Sequence, residues 1–317
     1  MKIGVFTAPF DGTPLETVLD TLAPLGVQAI EVGVGGFPGS GHCDAGALLS
    51  DHAGARRWLR SITDRGLVVS ALSAHANPLH PDPIVGAKGR LTLEQALELA
   101  ELLEIGVVNT FSGCPGSGPG SSAPNWVTTP WPPEFAEILR WQWDEQAVPY
   151  WAGVAALAER RGVTVAIEPH PGFLVYNLRT LLELRDTCGA SLAANFDPSH
   201  LWWQGADPVA VVRALADAGA LAHVHAKDLW LEHDVVRLHG TLDNTPRDRL
   251  AERAWSFRTL GYGQGEQAWR DLVSVLLTAG YDGVLSIEHE DRLFGVEDGL
   301  RKSVELLRRL LPDNGGN

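Results

Sequence analysis

Four segments in the second half of the chain end on side chains that bind divalent cations: VTVAIEPH carries Glu168, LAANFDPSH carries Asp197, LAHVHAKD carries His225 and VLSIEHED carries Glu288. Each segment is otherwise apolar or small, as a parallel strand covered by helices on both faces must be. A carboxylate or imidazole at the end of such a strand has left the hydrophobic layer and needs a partner. One alone reads equally well as half of a buried ion pair. Four in successive repeats, separated by helix-length stretches, point to a common axis and a shared cation. Three carboxylates with one imidazole form an oxygen-rich set that suits Mn²⁺ or Mg²⁺ better than a structural zinc ion.

Pleating decides which neighbours point the same way, because strand side chains alternate with a period of two. On that pattern His170 shares a face with Glu168, Asn195 with Asp197, His223 and Lys227 with His225, and Glu290 with Glu288. His225, nearer its strand end, is the better ligand. His223 reads as a core histidine satisfied by hydrogen bonds. Lys227 is a candidate for the substrate mouth, with a surface ion pair to Asp228 as the alternative.

Holding such residues around one axis requires parallel strands whose ends meet. Short apolar segments alternate with helical patterns along the whole chain, the signature of βα units. Eight strands are expected, starting at Lys2, Ala29, Val68, Val107, Val163, Leu192, Leu221 and Val284. Between them lie amphipathic stretches such as LTLEQALELAELLEIG, read as a helix stopped at Gly106. Eight such units close into a (β/α)8 TIM barrel, expected as a single domain over residues 1–317. An open doubly wound sheet would bring a glycine-rich phosphate loop after the first strand, and TAPFDGTP is not one. Two stretches break the rhythm. Residues 113–133 after the fourth strand and 229–263 after the seventh would both emerge at the C-terminal face and are candidate lids.

Composition excludes other classes. A formal net charge of −14 opposes binding to nucleic-acid phosphates or anionic membranes. Cys43, Cys114 and Cys188 show no paired spacing, so a reducing cytoplasm is expected. The chain opens on the strand-like KIGVFT with no signal-like segment, and no apolar run of membrane-spanning length occurs. Trp126, Trp131, Trp141, Trp143, Trp202 and Trp203 are expected near the barrel mouth.

The order Glu, Asp, His, Glu on strands five to eight, the DPSH turn, the HVHAKD strand end, LGYGQGEQAW and the IEHED terminus resemble the xylose-isomerase-like TIM-barrel superfamily. The resemblance covers nearly the whole chain. It implies that Glu168, Asp197, His225 and Glu288 bind one divalent ion, Mn²⁺ first, with Mg²⁺, Co²⁺ or Zn²⁺ as alternatives. It implies that Glu168 and Glu288 exchange protons with the substrate, and that His200 and Arg258 hold its hydroxyls. For His200 a role behind the ligands is the alternative. His170 has no firm counterpart in the family and is a candidate extra acid, base or substrate contact.

The activity implied is isomerisation or epimerisation of a keto sugar or cyclitol by abstraction of the proton α to its carbonyl. A lyase or dehydratase using the same deprotonation, as in inosose dehydration or β-elimination from 3-keto-glycosides, is the second reading. Phosphodiester cleavage of the AP-endonuclease kind is remote, because NTFSGCPG lacks the extra histidines that chemistry needs. A small-molecule substrate, no nucleic acid, no membrane, and a homo-oligomer or accessory subunit complete the expected partners.

Overall fold

A computed structural model describes residues 1–312. The last five residues of the expected 1–317 domain lie outside the described residues. Eight parallel strands form a closed barrel: β1 (Lys2–Phe6), β2 (Ala29–Gly33), β3 (Val68–Ser73), β4 (Val107–Thr110), β5 (Thr164–Ile167), β6 (Leu192–Phe196), β7 (Leu221–Ala226) and β10 (Val284–Ile287). Two short strands, β8 (Asp228–Leu231) and β9 (Trp255–Arg258), lie between β7 and β10 in the chain as a separate antiparallel pair. Strand β1 pairs with both β2 and β10, which closes the ring.

Helices cover the outside, and their apolar stripes explain why they pack there. The last, Val296–Leu310, buries Leu300, Val304 and Leu307 and turns its charges outward. Each such side chain contributes about 1.5–3 kcal/mol on burial. The fourth helix, α4 (Pro83–Leu103), is capped by Asp82, whose carboxylate accepts from Ile84 and Val85 N–H. It ends at Glu104, in the left-handed conformation with φ 57°, two residues before the expected Gly106 stop. Among the described residues no helix is long and apolar enough to cross a membrane.

The barrel interior is unusual for this fold, whose inner layers are normally filled by branched aliphatics. Here Glu31, Ser73, Asn109, Asn195, His223, His225 and Ser286 are all buried there. The register lays them side by side, Asn195 opposite His223 and Ser286 opposite His225.

Residues 113–133 have no regular structure, as expected, but they are pinned. Gln142 lies in a π-helical turn, Gln142–Ala147, following α5 (Glu134–Trp141). Its buried amide donates to the carbonyls of Gly116 at 2.9 Å and Asn125 at 2.7 Å. From the other side Asn77 holds both backbone groups of Cys114. The second interruption is more ordered than a loop. It holds β8, α10 (His233–His239) and β9, with Asp228 opposite Arg258 in the hairpin register. Asp228 accepts from the N–H groups of Leu229, Gly261, Gly263 and Gln264, which staples the insertion to the end of β7. Gly263 is required there, since a Cβ would sit 2.4 Å from the Leu229 carbonyl.

Candidate active site

At the C-terminal mouth one atom each from Glu168, Asp197, His225 and Glu288 lie within 4.8 Å of one another. The chain brings them together simply: each follows or ends one of four strands, β5, β6, β7 and β10, that are neighbours in the barrel wall. His225 Nδ1 faces Glu168 Oε2 at 3.3 Å and Glu288 Oε2 at 3.0 Å. Asp197 Oδ1 accepts from Ser199 N–H at 2.8 Å, while the buried Asp197 Oδ2 has no aligned hydrogen bond, only Lys227 Nζ at 3.0 Å and His200 Nε2 at 3.3 Å beside it. An inward-facing carboxylate oxygen in that state, beside two more carboxylates and an imidazole nitrogen, is a donor set that fits a hard divalent cation.

Two further clusters of acids and histidines are close by, Glu31 with His223 and His225, and Glu168 with His170 and His200. The first is already saturated by hydrogen bonds. Glu31 accepts from Ser73, from Asn109 at 2.9 Å, from Ser286 at 2.7 Å and faces His225 Nε2 at 3.0 Å. In the second, His200 Nε2 is 3.2 Å from Glu168 Oε1 and 3.3 Å from Asp197 Oδ2. His75, at the loop after β3, reaches Glu168 Oε2 at 3.1 Å.

Lys227 sets the electrostatics. Its ammonium is buried 2.7 Å from Glu288 Oε2, 3.0 Å from Asp197 Oδ2 and 3.2 Å from Glu290 Oε1. Burial opposes its charge, but Asp197, Glu288 and Glu290 outweigh burial and hold its pKa well above the ordinary lysine value. Burial likewise opposes the charge on His225, and Glu31, Glu288 and Glu168 hold it well above the ordinary histidine value. Burial pushes Glu168 and Glu288 up, yet both stay well below the ordinary carboxylate range, Glu168 chiefly through His225 and Glu288 chiefly through Lys227.

Above this cluster opens a cavity of about 530 Å³. Glu168, Glu288, His170, Lys227 and Glu290 line it, as does Arg247. The opposite wall is apolar: Phe6, Phe37, Phe111 and Phe173. Phe111 and Phe173 stack at 4.3 Å, and His170 packs 4.7 Å from Phe111 and 4.1 Å from His200.

Three expectations change. His200, 2% exposed, is not among the lining residues; it stands behind Glu168 and Asp197, the alternative role for it. Arg258 also lies outside the lining, because it ends β9 and turns toward Asp291, 3.8 Å away. Arg247, from the same insertion, reaches the mouth instead and pairs with Glu290 at 2.9 Å. The six tryptophans expected near the mouth do not line the cavity, whose aromatic wall is phenylalanine. Trp126, Trp202 and Trp203 pack with Leu229 and Phe257 under the insertion.

Glu31 and His75 were missed as site residues. A usable signal existed for Glu31, a lone acid at the centre of AIEVG, where every neighbour is buried.

Known proteins share this arrangement of chain. The uncharacterized protein YfiH of Bacillus subtilis (strain 168) is 36% identical over 314 residues, 98% of this chain and 99% of that protein. Among solved structures, the probable 3-DHS dehydratase AsbF of Bacillus anthracis, involved in petrobactin synthesis, gives a TM-score of 0.68 at 19% identity over 97% of this chain and 99% of that one. A D-tagatose 3-epimerase-like protein gives 0.64 at 20% identity over 98% of each. These structural likenesses are likenesses of fold. Residues 19–310, which include Glu168, Asp197, His225 and Glu288, match the family described as xylose isomerase-like TIM barrel, and the chain belongs to that family.

Proposed function

We propose that this chain is a divalent-metal-dependent isomerase or epimerase of a keto sugar or cyclitol, carried by one barrel domain, that abstracts the proton α to a carbonyl. The observation that carries the reading is the pair Glu168 and Glu288: two carboxylates that line one cavity and belong to a converging group of four side chains able to ligate a cation. The fold shared with a D-tagatose 3-epimerase-like protein supports it. Glu168, Asp197, His225 and Glu288 would hold the ion, with Mn²⁺ the first candidate. When bound, such an ion polarises the substrate carbonyl and stabilises the negative charge left by deprotonation.

The protein's own groups do the rest. The Glu168 carboxylate is flanked by His75 Nε2 at 3.1 Å and His200 Nε2 at 3.2 Å, which orient it toward the substrate carbon. Glu288 stands beside Lys227 and can take or return a proton on the other side of the substrate. Return of a proton to the opposite face gives an epimer, and return to the adjacent carbon an isomer. The phenylalanine wall takes the C–H face of a sugar ring, while Lys227, His170 and Arg247 reach its hydroxyls. Three free cysteines suit work in a reducing cytoplasm.

A lyase is the second reading, favoured by Lys227. Its ammonium lines the cavity and can hydrogen-bond to a departing β-substituent, stabilising the charge that develops there. The fold shared with a probable 3-DHS dehydratase fits this equally. Proton NMR of candidate keto sugars with the Mn²⁺-treated protein in D₂O separates the two. Deuterium in an epimeric or isomeric product supports the first; a released leaving group and an unsaturated ketone support the second. No exchange across keto hexoses, keto pentoses and inososes, with Mn²⁺ bound, would overturn both.

A further inference from the structure

We infer that Glu31 is the positioning carboxylate of this site: it fixes the ring of His225 by accepting from Nε2–H, so that Nδ1 is presented to the cation. This rests on the metal site proposed above. Glu31 is wholly buried in the middle of β2, separated from β7 in the barrel wall by β10 and β1, and is 194 residues from His225 in sequence. Both of its oxygens lie 3.0 Å from His225 Nε2. A carboxylate can only accept, so that nitrogen must carry the proton. The remaining nitrogen, Nδ1, is the one that points between Glu168 and Glu288.

The alternative, that Glu31, His223 and His225 hold an ion themselves, fits the surroundings poorly. Ser73 and Asn109 donate to Glu31 Oε1, and Ser286 donates to Oε2. With His225 these fill the roughly four acceptor sites of a carboxylate. His223 is engaged elsewhere, with Nδ1 3.1 Å from Asn195 Oδ1 and Nε2 3.3 Å from Ser70 Oγ, while its distance to Glu31 is 3.9 Å. The Asn195 amide nitrogen also lies 3.1 Å from His225 Nε2. A neutral amide beside a charged acceptor does not decide the proton's place, and the same amide donates to Glu168 Oε2 at 3.4 Å. Four strands thus supply donors that hold Glu31 still, and Glu31 in turn holds the ring. A histidine ligand oriented by a second carboxylate is a recurrent way of tuning a metal site, worth about 10–100-fold in affinity.

The test is Mn²⁺ binding to the whole chain by calorimetry, in wild type, Glu31→Gln and Glu31→Asp, without reference to turnover. One ion per chain is expected, weakened about 10–100-fold by Glu31→Gln and partly recovered by Glu31→Asp, which keeps the charge. Long-range ¹H–¹⁵N correlation of wild type loaded with Zn²⁺ should show His225 protonated on Nε2. A folded Glu31→Gln with wild-type affinity, two ions per chain, or His225 protonated on Nδ1 would each overturn the inference. The tautomer reading needs no variant, so it decides even where Glu31→Gln does not fold. Tight Mn²⁺ binding without any sugar turnover would sink the proposed activity and leave the role of Glu31 standing. No Mn²⁺ binding by wild type would overturn both.

Discussion

Lys227 Nζ lies 2.7 Å from Glu288 Oε2 and 3.0 Å from Asp197 Oδ2, so a lysine sits among the carboxylates that would ligate a cation. Without a bound ion, Lys227 is the counter-charge of two buried acids. Breaking a buried pair by removing one partner costs about 3–5 kcal/mol, because the other charge is left unpaired. Lys227→Met should therefore lower the stability of the chelated protein by about that amount. Mn²⁺ should restore more stability to the variant than it adds to wild type. Thermal unfolding of both proteins, with chelator and with Mn²⁺, checks this, and equal metal-induced shifts would refute it.

Glu168→Gln and Glu288→Gln should each lower turnover by about 10³-fold or more if both carry protons. Metal loss would imitate that result, so bound Mn²⁺ must be measured in each variant. A variant that keeps metal and near-normal turnover removes that glutamate from the mechanism.

Stability of the chelated protein should fall as pH drops from about 6.5 to about 4.5. Burial pushes His223 down from 6.5 to about 4, and burial with His200 nearby pushes His170 well down too. A histidine depressed on folding takes up its proton in the unfolded chain first, so stability is lost below its ordinary value. His225, raised on folding, contributes a constant amount below its ordinary value. The depressed carboxylates of Glu31, Glu168 and Glu288 contribute a constant amount above theirs. His223 alone implies a loss of about 2 kcal/mol by pH 5. Urea unfolding across that range measures it, and a flat profile would contradict the buried neutral histidines.

Gln142→Ala should loosen the loop over the mouth without opening the barrel. It strands the carbonyls of Gly116 and Asn125 and should cost about 1–3 kcal/mol. Limited proteolysis is expected to cut within 113–133 in the variant and not in wild type. Equal resistance would show that Asn77 alone suffices as the anchor.

The eight barrel strands were legible because each is a short apolar run followed by a break. The convergence of Glu168, Asp197, His225 and Glu288 was legible for the same reason, since polar residues at successive parallel strand ends must meet. Glu31 was legible only as a lone acid in an apolar strand: AIEVGV does not say which face of β2 turns inward or that Ser73, Asn109 and Ser286 await it. The place of Arg258 was harder to read because an insertion intervenes: the hairpin of β8 and β9 has its own register, and in it Arg258 lies near Asp291 while Arg247 reaches the mouth. Gly106 was misread as a helix stop because Glu104 adopts the left-handed conformation that glycine usually supplies.

That the aromatic side of the cavity is built from phenylalanine and not tryptophan has a spectroscopic consequence. Indole emission dominates the fluorescence of a chain with 11 tryptophans, yet none of them lines the cavity. Ligand entry is thus optically quiet in the natural protein. Phe37, 72% exposed at the rim and with its backbone held by His75, is the position where a single tryptophan would turn occupancy of the mouth into a light signal.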